Sequence, residues 1–378
     1  MPSTTRSTHS RRSAVLLAST ACLVLTTVPP AAASPEAGAP TPEVTASPEV
    51  TASPEVTASP EVTASPEVTA SPEVTASPEV TASPEVTASP EVTASPEVIV
   101  LPGASSAEGI ARGEGSTFYA GDLFLGDVFR GDLEAGTAEL FIDAPDGRLA
   151  LGMAADTRRD LLVVAGGFTG QAYVYDLSSG DTVATYQFAP PSPPDADPPT
   201  TLVNDVALTW AGAWFTDSRR GVLYFVPIDC DGIPGEFRTL TLHGPAADTS
   251  GLFNLNGIAA ARHGETLVVA NGAQGELYTV DPETGDSAVI AGVSVPEVDG
   301  IVLDHDRLWA VQNSDRVTEV RLSADLTAGR VEEVITSDLF QVPTTAIRYE
   351  GRLAVVNAKF DTGIPPTADE YEVVLVHD

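Results

Sequence analysis

The chain has 378 residues, with 53 acidic and 19 basic side chains and a formal net charge of −34. So acidic a polypeptide repels phosphate backbones, which excludes nucleic acid as a partner, and it attracts cations instead. With only two cysteines, Cys22 and Cys230, it is not a disulfide-stapled scaffold, and its stability must rest on a core or a metal.

Residues 1–33 have the form of a secretory signal peptide. Arg6, Arg11 and Arg12 precede an apolar run from Ala14 to Val28, and the small residues Ala31, Ala32 and Ala33 follow. The run is about 15 residues, shorter than the roughly 20 that a membrane span needs. Arg11-Arg12 after Ser10 suggests twin-arginine export, and also serves as ordinary n-region charge. Cys22 would suit a lipoprotein, but Ser19 stands where a Leu is wanted. Cleavage near Ala33 removes Cys22 and leaves Cys230 alone, between Asp229 and Asp231. A secreted or cell-surface protein is expected, with no integral membrane segment after cleavage.

Residues 34–98 read as a disordered, Pro-rich stalk. From Thr45 to Val98 the hexapeptide TASPEV repeats nine times without interruption. It has no aromatic residue and one sizeable apolar side chain per repeat, so it cannot bury a core. A proline in each repeat breaks helix and blocks continuous strand pairing. Fully extended at about 3.1 Å per residue, the repeat would reach roughly 170 Å.

From residue 99 onward the composition changes, with 42 acidic against 16 basic residues. Six segments each open on a short motif: EGIA at 108–111, LGMA at 151–154, NDVA at 204–207, NGIA at 256–259, DGIV at 299–302 and TAI at 345–347. The steps between their first residues are 43, 53, 52, 43 and 46. A second run follows each motif (DLLVVAGG, AWFTDS, RLWAVQN among them), then a third (AYVYDL, LYFVPI), and in five segments a fourth. These β-branched and aromatic runs, bounded by Gly, Asp, Asn and Pro, predict an all-β, six-bladed β-propeller over 99–378. The sixth segment lacks a fourth strand. EVIVLPG at 97–103 is the expected replacement, an N-terminal strand closing the last blade and removing the open edge.

The innermost strands of a propeller line its axis, so the motif-leading residues form one ring at one mouth: Glu108, Leu151, Asn204, Asn256, Asp299 and Thr345. Two carboxylates and two amide oxygens converging there make an all-oxygen set suited to a hard cation such as Ca²⁺. Turn capping alone would also place Asn and Asp at strand starts. Two carboxylates buried near one axis would repel each other unless a cation or protons intervened.

On these residues the chain resembles the calcium-dependent six-bladed propellers: gluconolactonase/regucalcin (SMP-30-like), diisopropylfluorophosphatase and paraoxonase. The phrases FTDS at 215–218 and NGIA at 256–259 are similar to gluconolactonase-type sequence. In the latter two members a Glu of blade one, Asn of blades three and four and Asp of blade five hold a catalytic calcium. The resemblance implies the same role for Glu108, Asn204, Asn256 and Asp299. It also implies lactone or phosphoester hydrolysis, with calcium polarising the carbonyl or phosphoryl oxygen. Paraoxonases use a histidine pair in their early blades, whereas residues 99–200 here contain no His. Asp299 is therefore the expected base or nucleophile, the alternative being that it is only a ligand. Gly109 stands where paraoxonases carry an acidic residue for a second, structural calcium, which leaves one cation expected and Asp205 available nearby.

Topology puts the longest connections on the ring's face: 189–203, 243–255 and 361–369. Asp217, Asn271, Asn313 and Asn357 are expected there as pocket residues, with Asp205 and Thr345. Apart from Phe253 these connections are poor in aromatics, which predicts a polar or small substrate. The expected protein is a monomeric, secreted calcium-dependent hydrolase acting on a small lactone or ester. The alternative from another class is a surface-displayed, non-enzymatic binding module with a structural calcium. A lyase or strictosidine-synthase-like activity is a third reading on the same scaffold.

Overall fold

The computed structural model describes residues 97–378. The expected signal peptide, and the repeat up to residue 96, lie outside the described residues. Six antiparallel four-stranded sheets follow one another along the chain, giving a six-bladed β-propeller. In blade three the strands are Val203–Thr209, Gly212–Asp217, Val222–Pro227 and Arg238–Thr241, ordered from axis to rim. The first strands of the other blades are Ile110–Arg112, Met153–Asp156, Leu255–Ala261, Val298–Asp304 and Pro343–Tyr349.

The sequence pattern follows from where each strand sits. Second strands such as Leu161–Ala165 and Gly212–Asp217 are buried at every residue, because neighbouring blades cover both faces. Fourth strands such as Thr182–Gln187 are mostly exposed. Six apolar clusters lie between adjacent blades, one centred on each interface. Removing this much apolar surface from water needs no disulfide. The free Cys230 is exposed.

Blade six is closed by the strand Val98–Val100, which pairs antiparallel with Glu372–His377 through Val98↔Val374, Ile99↔Val373 and Val100↔Glu372. Ile99 is buried, and Leu101 N donates to Tyr371 O (2.8 Å), extending the closure past the strand. The ring thus joins the start of the domain to its end. Among the described residues no helix is long and apolar enough to cross a membrane.

Candidate metal centre

In four of the six blades the motif marks an irregularity of the innermost strand. In blades three to six the pairing slips between Val203 and Val206, Leu255 and Ile258, Val298 and Ile301, and Pro343 and Ala346. Two residues of the first strand there face one of the second, as in a β-bulge, which turns side chains away from the regular ladder. Asn204, Asn256 and Asp299 are the first bulge residues. The same register in blade six falls on Thr344, because Pro343 pairs with Asn357 and Ala346 with Val355. This corrects the expectation for Thr345, which is the second bulge residue, the counterpart of Asp205.

The glycine that follows the ring residue in four motifs has a packing cause. A Cβ on Gly109 would overlap the Leu151 carbonyl, and one on Gly257 would lie 2.6 Å from the Asp299 carbonyl oxygen. Gly152 and Gly300 face Asp205 Oδ1 and Thr345 Oγ1 in the same way. Neighbouring inner strands approach so closely at the bulge that only glycine fits opposite.

The ring residues Glu108, Asn204, Asn256 and Asp299 are buried. Asn313 Nδ2 donates to Asp299 Oδ2 (2.9 Å) and to Pro343 O (3.0 Å). Asn204 Nδ2 donates to Ser218 Oγ (2.9 Å), which in turn donates to Leu255 O (2.6 Å). Ser218 and Asn313 are thus equivalent: each follows the second strand's last paired residue, steadies its own blade's ring residue and tethers the next blade. Thr344 Oγ1 donates to Glu108 O (2.7 Å), linking blade six to blade one.

Two ring oxygens, Glu108 Oε2 and Asn256 Oδ1, are buried without a hydrogen-bond partner. Burial, then the charges of Asp299 and Asp205, push the Glu108 carboxyl well above the usual carboxylate range. Burial also raises Asp299, against hydrogen bonds from Asn313 and Asn256. Asp205 lies one residue deeper, its Oδ1 and Oδ2 accepting from Val206 N (2.8 Å) and Ile258 N (3.1 Å). Burial pushes it up to about 7 despite those bonds. Below Asp205 a cavity of ≈ 530 Å³ follows the axis past Ile110, Met153, Ile258 and Ile301 to Arg112 and Arg348 on the far face. Among the described residues no three His, Cys, Asp or Glu side chains are placed to ligate one ion, so an ion at the mouth would need amide oxygens as well. The unpartnered oxygens and the mutually repelling carboxylates fit a hard cation.

The other expected pocket residues divide. Asn313 reaches the ring. Asp217, Asn271 and Asn357 do not, because their acceptor oxygens cap the adjoining connections. Asp217 accepts from Thr201 Oγ1 (2.6 Å), Leu202 N (3.0 Å), Arg219 N (3.0 Å) and Tyr224 OH (3.2 Å). Asn271 Oδ1 accepts from Gln274 N (3.0 Å), and Asn357 Oδ1 from Gln341 N (3.0 Å). Topology singled out Asp217 as a second-strand end on the ring's face, whereas its neighbours Thr216 and Ser218 touch the ring strands. Thr216 Oγ1 accepts from Asp205 N (3.1 Å) and donates to Asn256 O (2.8 Å).

The ring face is also more aromatic than its long connections suggested. Phe124 and Phe168 come from short turns between the second and third strands of blades one and two, and Phe360 from the long connection between those strands of blade six, just before 361–369; all three are partly exposed. All three pack against one cluster, whose buried members include Leu123, the ring residue Leu151 and Leu202.

No family model matches the chain, and no curated protein matches it. Among solved structures, the major Malassezia sympodialis allergen Mala s 1 is similar with a TM-score of 0.53 and 14% identity, over 75% of this chain and 96% of that one. U3-55K gives a TM-score of 0.51 at 11% identity, over 74% of this chain and 98% of that one. A protein from Lactobacillus plantarum gives 0.49 at 17% identity, over 66% of this chain and 77% of that one. Likeness at these identities is likeness of fold.

Proposed function

We propose that the domain is a calcium-dependent hydrolase of a lactone or ester, working at the ring mouth, in an exported protein. The observation that carries this reading is the pair of buried, unpartnered oxygens, Glu108 Oε2 and Asn256 Oδ1, beside the buried carboxylate of Asp299. An unsatisfied buried acceptor costs about 1–3 kcal/mol, and more when charged, so two in one ring ask for a ligand. Glu108, Asn204, Asn256 and Asp299 would hold the cation. When bound, it would supply Lewis acidity toward the substrate oxygen.

The chain's own residues supply the proton chemistry. Asp299 is held by the Asn313 amide, and burial raises its basicity toward the working pH, where a general base is most effective. It takes a proton from an attacking water as the water oxygen bonds to the carbonyl carbon. It returns that proton to the leaving alkoxide as the ester C–O bond breaks, giving acid and alcohol, or one hydroxy acid from a lactone. Below the ring, the Asp205 carboxylate is held by two backbone N–H groups.

A second reading, a binding module with a structural cation, draws on the hydrogen bonds that Asn313 and Asn256 already give Asp299. A panel of lactones and phosphotriesters with and without Ca²⁺ separates the two. The hydrolase reading expects turnover that EDTA abolishes; calcium binding with no turnover across the panel leaves the binding module. Calcium at a hundredfold excess over its Kd should also stabilise the domain by about 2.7 kcal/mol. A melting curve unchanged between EDTA and millimolar calcium would refute the cation itself.

A further inference from the structure

The chain has 18 arginines and a single lysine, Lys359, so one side-chain amine serves the whole molecule. Lys359 follows the second strand of blade six, Arg352–Asn357, and takes a left-handed backbone (φ 55), uncommon for a residue with a Cβ. Its side chain is only 12% exposed. Nζ donates to Glu372 Oε2 (2.7 Å) and to Glu370 O (2.9 Å), and lies 5.9 Å from the centre of the buried Tyr371 ring. The other oxygen of the same carboxylate, Glu372 Oε1, accepts from Asn357 Nδ2 (2.7 Å). One carboxylate therefore bridges an amine and a fully buried carboxamide. The carboxamide is also held from behind. Gln341 N donates to Asn357 Oδ1 (3.0 Å), and Leu339 O accepts from Nδ2 (2.8 Å). These backbone contacts fix which end of the amide is nitrogen, and that end faces Glu372. Gln341 is itself anchored, since Lys359 N donates to Gln341 O (3.2 Å) and Ala358 N to Val342 O (3.1 Å).

We propose that the side chains of Lys359 and Asn357 join as an amide in the folded domain, with the bridging Glu372 carboxylate relaying the protons. Glu372 Oε2 takes a proton from the Lys359 ammonium, and the freed amine attacks Asn357 Cγ. The Gln341 N–H donates to the negative charge that develops on Oδ1. Protons pass through Glu372 to Nδ2, the Cγ–Nδ2 bond breaks, and the nitrogen leaves as ammonium. Nζ gives up two protons and Nδ2 gains two, so no oxidant, reductant or co-reactant is needed. The contacts supply each part: a nucleophile and a leaving group on one carboxylate, and a fixed donor on the carbonyl oxygen. Holding them together makes the step intramolecular, which is its main advantage over the same reaction in solution. The product fixes Lys359 in its left-handed turn, where the long connection of blade six begins. In a chain whose one described cysteine, Cys230, is free, it is a covalent lock that needs no thiol. Neither the bond nor its test depends on the ring mouth.

The test is a tryptic digest of the full chain, incubated folded and then denatured, read by mass spectrometry. Trypsin cuts after Arg352 and after a free Lys359, but not after an acylated lysine. The bonded chain should give one peptide, 353–378, lighter than its sequence by about 17 Da, the mass of the ammonia lost. An ordinary ion pair gives two peptides, 353–359 and 360–378, at their sequence masses. Glu372→Gln keeps the size and polar contacts but cannot relay protons, and should cut the bonded fraction by about tenfold or more. Asn357→Ala and Lys359→Arg should abolish the bond. Asn357 is a buried cap, so its variant can lose the bond by unfolding. Glu372→Gln, at a position that is not fully buried, therefore carries the decision, with its melting curve measured beside the digest.

Complete cleavage after Lys359 in the parent, however long the folded chain is incubated, would overturn the proposal. Loss of ammonia with Lys359 still cleavable would overturn it too, since that marks Asn357 cyclising on its own backbone. A bond that forms equally in Glu372→Gln would overturn the role of the carboxylate. A joined peptide about 18 Da lighter that persists in Asn357→Ala would mean that Lys359 had condensed with Glu372 instead, and would overturn the assignment of Asn357.

Discussion

Asp217, Asn271 and Asn357, at the ends of second strands, are as buried as Glu108, Asn256 and Asp299 at the starts of first strands, and both sets lie on one face of the propeller. Both sets consist of carboxylates and amides, yet their oxygens are used differently. Asp217 takes hydrogen bonds from two backbone N–H groups and two hydroxyls, and fastens the connection that enters blade three. Asn357 uses both ends of its amide, its Nδ2 donating to Leu339 O (2.8 Å) and Glu372 Oε1 (2.7 Å). The one unpartnered atom in that set is a donor, Asn271 Nδ2. In the ring the unpartnered atoms are acceptors, which a cation can satisfy and a neighbouring carbonyl cannot. Buried Asp and Asn at strand ends therefore do two jobs, told apart by which lone pairs are left over.

The largest expected effect sharpens this difference from the capping side. Asp217→Ala leaves Leu202 N, Arg219 N, Thr201 and Tyr224 without their acceptor. It should destabilise the domain by about 3 kcal/mol or more, roughly 6 °C in Tm. Calcium affinity in the remaining folded protein should stay near that of the parent. Calorimetric melting and calcium titration of the same sample check both halves. A stable variant that no longer binds calcium would place Asp217 in the metal site after all.

Asp299→Asn is the matching change in the ring, and its sign should differ. It keeps shape and one oxygen but removes a buried charge from beside Glu108. In EDTA near neutral pH the variant should melt at or above the parent temperature. At saturating calcium, turnover should fall by about two orders of magnitude, the range of a lost general base. Near-parental turnover would exclude Asp299 as the base, and a large loss of apo stability would make it another cap.

The ring can also be read through pH. Glu108, Asp205 and Asp299 all have folded-state pKa values above the ordinary carboxylate range, chiefly from burial. The folded domain therefore holds protons that the unfolded chain has released. That stability is complete below about pH 4, the unfolded value, and is lost as pH rises through about 7, where Asp205 titrates. The lowered values of Asp132, Asp248 and Asp325 act at more acidic pH, outside this window. In EDTA, Tm should thus fall between pH 5 and pH 8. Calcium should flatten the decline, so its stabilising effect is larger at pH 8 than at pH 5. An equal calcium effect at both values would mean that the cation does not compete with these protons.

How much of this was legible in the sequence follows from what repeats. The six motifs and the runs behind them recur because every blade must bury the same faces, and the missing sixth outer strand pointed to 97–103. The ring types at Glu108, Asn204, Asn256 and Asp299 were legible for the same reason. What each oxygen touches is a property of the bulge and of the next blade, which no single segment encodes. Asp217 and Ser218 are adjacent in FTDS, but only the pairing register gives the cap to one and the ring contact to the other. The aromatic side chains of the ring face escaped notice because Phe124 and Phe168 sit on short turns and Phe360 lies one residue before the stretch 361–369, and only the circular closure of blade six on blade one lets all three pack against one cluster.

The smallest expected effect tests the register itself. Sequence alignment put Thr345 in the ring, while the bulge puts Thr344 there. Thr344 is fully buried, and its hydroxyl donates to the Glu108 carbonyl across the seam between the last blade and the first. Thr344→Val keeps the shape but deletes that bond, leaving a buried carbonyl short of a donor. Such a loss costs about 1 kcal/mol, near 2 °C in a domain of this size. It should also loosen the backbone that carries Glu108, lowering calcium affinity a few-fold. Thr345 borders the axial cavity beside Gly300, and its replacement by Val should change Tm by less than half as much and leave calcium affinity alone. Differential melting of the two variants, with and without calcium, is sufficient. If Thr345→Val is the more damaging, the register drawn from the bulge is wrong and the ring in blade six begins one residue later.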